Sequence, residues 1–83
     1  MIIVRLDSNK RFIKMATFKL EDREYIELNK LLKIFDLVNS GGEAKIRIRD
    51  GEATFNGEIE TRVKKKLRVG DVITFDGMEI RIE

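Results

Sequence analysis

The side chains with the most chemistry to offer are five cations in seven consecutive positions: Arg62, Lys64, Lys65, Lys66 and Arg68, with no acid among them. Cations clustered in this way neutralise phosphates and release condensed counterions, which gives affinity for a polyanion with little sequence information. The plainer reading is a solvated strand face whose charge discourages edge pairing. A second feature lies upstream, Ser40-Gly41-Gly42-Glu43-Ala44-Lys45. Ser-x-x-Glu is the spacing of a capping box, in which the Ser hydroxyl accepts from the backbone N–H three residues on and the Glu reaches back. The first turn of such a helix carries free N–H groups and the positive end of the helix dipole, which suits an anion. Gly41 and Gly42 would let a phosphate approach closely. Without a phosphate, the same motif is an ordinary capped helix.

The rest of the composition removes other chemistries. The 83 residues contain no His, no Cys and no Trp. The commonest general base, the commonest nucleophile and the usual zinc ligands are therefore missing. Glu21, Asp22, Glu24 and Glu27 are close in sequence, but no fixed ligand spacing accompanies them. The expectation is no enzyme, no metal and no cofactor. No apolar run approaches a membrane span. Arg5, Asp7 and Lys10 interrupt the apolar N-terminal stretch, so it does not read as a signal peptide, and a cytoplasmic protein is expected.

Lys and Arg number 17 against 15 Asp and Glu, a net charge of only +2. The uneven distribution matters more than the sum. An acidic stretch at 21–27 and a basic one at 62–68 would let a nearly neutral protein orient on a polyanion. Aromatic residues make up only 7%, too few for an obvious stacking platform of the kind single-strand binders use. A chain this short holds one thin core with stability on the order of 5 kcal/mol.

The elements that must position these groups follow from periodicity. Thr17–Leu20 reads as a short strand. Leu28, Leu31, Leu32 and Phe35 fall at i, i+3, i+4 and i+7, the apolar stripe of a helix, with Lys30 and Lys33 on its opposite face. Lys45-Ile46-Arg47-Ile48-Arg49 alternates as a strand does, and Asp50-Gly51 after it would suit a hairpin. The capping box argues instead for a helix ending at Gly51, with Ala44 and Ile48 buried and Lys45 and Arg49 exposed. In that helix Ile46 points away from the core. Asn56-Gly57 and Asp76-Gly77 read as hairpin turns, with a contact from Asn56 to a base or sugar secondary to its turn role. Arg62 to Val69 reads as an extended strand with Arg62, Lys64, Lys66 and Arg68 on one face and Val63, Lys65, Leu67 and Val69 on the other. Lys65 would then cover apolar surface with its stem. Tyr25 could stack on a base or pack beside the first helix. Met15-Ala16-Thr17-Phe18 looks like a protein start, so residues 1–14 are expected to be an extension, disordered or an added edge strand, before a domain at 15–83.

Residues 27–75 resemble the S4 RNA-binding domain. The residues that carry the resemblance are Leu28-Asn29-Lys30-Leu31-Leu32, Ser40-Gly41-Gly42-Glu43-Ala44-Lys45, Asp50-Gly51, Asn56-Gly57-Glu58 and Val69-Gly70-Asp71-Val72-Ile73. The double glycine before Glu-Ala-Lys looks most like the small stand-alone bacterial proteins of the YbcJ/YaaA type. The resemblance implies an α+β fold with an αL motif: two N-terminal helices packed on a small, mostly antiparallel sheet, with a short strand before the first helix. It also implies that Lys45–Arg49 is helical. RNA would lie over the loop before the second helix, that helix's exposed face and the following strand.

The expected RNA-binding residues are Lys30, Lys33, Ser40, Gly41, Gly42, Lys45, Arg49, Asn56, Arg62, Lys64, Lys66 and Arg68. Lys30 and Lys33 could equally be a solvated helix face. The family often has Arg where Glu27 and Gly41 stand, so two phosphate contacts would be lost here. The expected partner is structured RNA, ribosomal or transfer RNA, met as a monomer or with a protein partner in a ribonucleoprotein, in a chaperone, assembly or regulatory role. The alternative is a protein–protein adaptor with no nucleic-acid role.

Overall fold

The alternating stretches near the C-terminus form the middle of a sheet. In β7 (Val72–Phe75) the buried residues are Ile73 and Phe75, and in β8 (Met78–Ile82) they are Met78, Ile80 and Ile82. Asp76 (φ 53) and Gly77 (φ 78) join them in the two-residue turn that needs positive φ at both positions. Asn56 (φ 51) and Gly57 (φ 91) do the same between β4 (Ala53–Phe55) and β5 (Glu58–Ile59), and β4 pairs with β7.

The computed structural model describes residues 3–6 and 12–83. Met1, Ile2 and residues 7–11 of the expected extension lie outside the described residues. β1 (Ile3–Leu6) runs antiparallel to β2 (Phe12–Phe18), and β2 lies parallel to β8 with Phe18 opposite Ile82. The strand order is β1-β2-β8-β7-β4-β5, so β2–β8 is the one parallel pair in a mostly antiparallel sheet. The strand expected at Thr17–Leu20 therefore lies earlier, at Phe12–Phe18. Leu20 follows it, buried, with its N–H donating to the Glu83 carbonyl at 2.7 Å.

The sheet's apolar face is covered by α1 (Leu28–Ile34) and α2 (Gly41–Arg49). Leu28, Leu31 and Leu32 from α1 and Ala44 and Ile48 from α2 join the sheet residues and Leu67 in a single core. The apolar stripe of α1 and the helical reading of Lys45–Arg49 both hold. Ile46 is 63% exposed, as the helix requires. Both helices end in Schellman turns. After α1, Leu37 N–H donates to the Leu32 carbonyl and Asp36 (φ 57) N–H to that of Lys33. After α2, Glu52 N–H donates to the Arg47 carbonyl and Gly51 N–H to that of Ile48. Gly51 takes φ 82, which glycine adopts without a Cβ penalty.

Two expectations need correction. The helices are not N-terminal, because α1 is preceded by β1, β2 and β3 (Ile26–Glu27). Of residues 1–14, Ile3–Leu6 stands at the edge of the sheet as β1, and residues 12–14 belong to β2. The strand expected over Arg62–Val69 shrinks to β6 (Lys66–Leu67), which pairs only with β3. The reason lies in α1. No side chain caps its N-terminus, and its first N–H groups instead take carbonyls from this segment: Leu28 N–H to Lys65 at 2.9 Å and Asn29 N–H to Val63 at 3.1 Å. The partner strand β3 becomes helix from Leu28 on, and Lys65 N–H turns back to the Arg62 carbonyl at 3.2 Å, so the ladder ends there. Alternation is lost as a result, and Val69, expected on the apolar face, is 70% exposed.

Candidate functional site

The segment from Glu60 to Asp71 is fixed at three places, and this fixes where its cations stand. At its start, Glu60 is the one buried charged residue among those described, 7% exposed. Its carboxylate accepts from the Arg62 backbone N–H and Nε, both at 2.9 Å, and from Nη2 at 3.0 Å. The Arg62 hydrogen bonds hold the Glu60 carboxyl down at about 2, against the opposing effect of burial. In the middle, the Val63 and Lys65 carbonyls cap α1. At the end, Asp71 accepts from the Arg68 backbone N–H at 2.8 Å and from Asn56 Nδ2 at 3.1 Å, while Asn56 Oδ1 accepts from Val72 N–H at 2.8 Å.

Held this way, the cations line two adjoining shallow concavities. One is formed by Arg62, Lys64, Lys65, Lys66 and Arg68. The other adds Lys45 and Arg49 from the exposed face of α2, with Thr61 and Val63. Arg62 and Lys64 belong to both, so α2 and the basic segment present one continuous positive surface. Lys45, Arg49, Lys64, Lys65 and Lys66 have no carboxylate partner among the described residues. Lys65 was expected on the opposite face. It lines the same concavity as its neighbours, with its Nζ 4.7 Å from the Phe55 ring centre. Once the strand breaks, alternation no longer sorts the side chains.

Tyr25 is half-buried beside this surface, with Lys66 Nζ 4.8 Å and the Arg68 guanidinium 5.5 Å from its ring centre. The acidic stretch does not form an opposite pole. Glu27 lies across from Lys66 in the β3–β6 pair, and Glu24 lies 3.8 Å from Arg68, so these acids border the positive surface and limit its extent.

The other expected residues divide. Ser40 caps α2, its Oγ accepting from Glu43 N–H at 3.1 Å, while Glu43 reaches back to Asn39 N–H at 2.8 Å, one residue earlier than the capping box predicts. Gly41 has open space where a side chain would stand, and the nearest atom to Gly42's is Ser40 Oγ at 3.8 Å. Asn56 donates from Nδ2 to Asp71 and accepts at Oδ1 from Val72 N–H, which ties its side chain to the turn. Lys30 and Lys33 are exposed in a separate concavity with Arg23, Ile26 and Ile34, and Lys30 is paired with Glu27 at 3.3 Å. Arg47 is half-buried among ion pairs with Glu43, Glu52 and Asp76, its guanidinium 4.4 Å from the Phe75 ring centre. Its role is structural.

Sequence reasoning missed Glu60, whose signal was the Glu-x-Arg spacing, and Lys65, whose signal was membership of an unbroken lysine triplet. Among the described residues there is no cluster of His, Cys, Asp or Glu that could hold a metal, and no helix long and apolar enough to cross a membrane.

A family model described as S4 domain matches residues 18–83. YbcJ of Escherichia coli (strain K12) is 37% identical over 68 residues, which is 82% of this chain and 97% of that protein. A Bacillus subtilis (strain 168) protein named "Probable ribosome maturation protein RlbA" is 41% identical over 56 residues, 68% of this chain and 79% of its own length. The solution structure of the E. coli YbcJ, described as revealing an αL motif involved in RNA binding, superposes with a TM-score of 0.63 at 33% identity, covering 99% of this chain and 96% of that one.

Proposed function

Since the chain belongs to the S4 domain family, we propose that it is an RNA-binding protein that holds structured RNA by the phosphate backbone and acts without catalysing a reaction. The observation that carries this reading is the continuous positive surface made by Lys45 and Arg49 of α2 with Arg62, Lys64, Lys65, Lys66 and Arg68. Its lysines lack partnering carboxylates among the described residues, so their charge is available to phosphates. The open N-terminus of α2 at Gly41 and Gly42 would add backbone donors. The solved relative's αL motif is described as involved in RNA binding, which supports the same assignment. The relative named for ribosome maturation favours ribosomal RNA as the target and an assembly role.

The test is binding to structured ribosomal RNA fragments across a salt series, with the wild type beside the Lys64→Glu/Lys66→Glu double variant. Wild-type affinity should fall steeply with salt, and the variant should lose roughly one unit of log–log slope for each phosphate contact removed. Binding that ignores salt, or that the double variant leaves unchanged, would overturn the RNA reading in favour of the protein adaptor.

A further inference from the structure

Arg62 stands apart from the other cations of the positive surface. It is the arginine common to both concavities. It is also the one whose charge is cancelled by a buried carboxylate, since Glu60 takes its Nε and Nη2 in a two-point clamp. A cation placed only to attract phosphate gains nothing from such a partner, because the pair contributes almost no net charge at a distance. The clamp does fix the plane of the guanidinium. The side chain remains 69% exposed, and Nη1 and the outer hydrogen of Nη2 are directed away from Glu60. Arg47 makes the contrast: it is ringed by Glu43, Glu52 and Asp76 and only 22% exposed, so no edge is left over.

Resting on the RNA reading above, we propose that Arg62 is the base-reading residue of this surface. Its free end-on edge would bond the O6 and N7 of an unpaired guanine, and Glu60 would be the positioning residue behind it. A planar fork matches two acceptors in one plane, which a lysine cannot do. Guanine offers O6 and N7 as such a pair, and in RNA the bases open to this contact are unpaired ones in loops and bulges. The surrounding lysines supply sequence-blind phosphate attraction, and Arg62 adds discrimination.

The experiment uses four RNA hairpins of identical stem, each with a single unpaired nucleotide, G, A, C or U, titrated with the full chain at several salt concentrations. The wild type should prefer the guanine hairpin by roughly 5- to 150-fold. Arg62→Lys keeps the charge and loses the fork, so the preference should vanish while the salt dependence stays the same. Glu60→Gln should move two readouts in opposite directions: all four hairpins bind more tightly, because a cation is released, but the guanine preference shrinks. A merely structural role for Glu60 would not produce that pattern.

Salt-dependent binding with no guanine preference would overturn the inference and leave the RNA reading standing. So would an Arg62→Lys variant that keeps the wild-type preference. Absence of binding to all four hairpins would overturn both.

Discussion

The turn that closes the basic segment can be tested through Asn56. Its Nδ2 donates to Asp71 Oδ1 at 3.1 Å, and its Oδ1 accepts from Val72 N–H at 2.8 Å. Asn56→Asp keeps the acceptor and the shape, but turns the donor into a second negative oxygen about 3 Å from Asp71. The hydrogen bond lost is one to a charged group, about 1.5 kcal/mol at such an exposed site. The new repulsion adds about 1 kcal/mol in water-like surroundings. The total of about 2–3 kcal/mol is roughly half the stability of a domain this small. In Tm it is about 10–20 °C.

The pH dependence separates repulsion from simple loss of a contact. Beside Asp71 the introduced carboxyl is harder to ionise in the folded state, so its folded pKa rises above its unfolded value of about 4. The penalty is therefore full above the raised value and fades as pH falls through it toward the unfolded one. Asn56→Gly, which keeps the positive φ and loses both side-chain bonds, should show a deficit against wild type that is the same at both pH values. Urea unfolding of the three proteins at pH 7 and pH 4 decides the matter. If the Asn56→Asp deficit is as large at pH 4 as at pH 7, the like-charge argument fails.

Two further outcomes follow from the same structure. Glu60 is held at about 2, below its ordinary 4.5, so the stability it contributes is present above about 4.5 and is lost as pH falls through about 2. Discounted for the exposure of Arg62, that contribution is about 1 kcal/mol; Glu60→Gln should lie that far below wild type at pH 7 and meet it near pH 2, and a gap that stays constant across acid urea titrations would refute the pair's role. Ser40→Ala removes the acceptor for Glu43 N–H and should cost about 1 kcal/mol, with faster amide hydrogen exchange in the first turn of α2. Unchanged exchange there would mean that the cap contributes nothing.

What the sequence determined by itself is what depends on neighbours a few residues away. Ser40 and Glu43 start α2 and Gly51 ends it, even though Lys45–Arg49 alternates as a strand, because capping and left-handed backbone preferences act within one turn. The Asn56-Gly57 and Asp76-Gly77 turns, the apolar stripe of α1 and the alternation in β7 and β8 are local for the same reason. The clustering of Arg62, Lys64, Lys66 and Arg68 was equally legible, since proximity in sequence is proximity in space.

Tertiary structure decided the rest. Whether residues 62–69 form a strand depended on where their partner β3 gives way to α1, at Leu28, more than thirty residues upstream. That choice brought Lys65 onto the positive surface and exposed Val69. The place of β2 depended on β8, at the far end of the chain, and the joining of α2 to the basic segment depended on how the helices cover the sheet. Backbone groups must find partners wherever the folded chain offers them, and no periodicity read along the sequence records which distant partner arrives first.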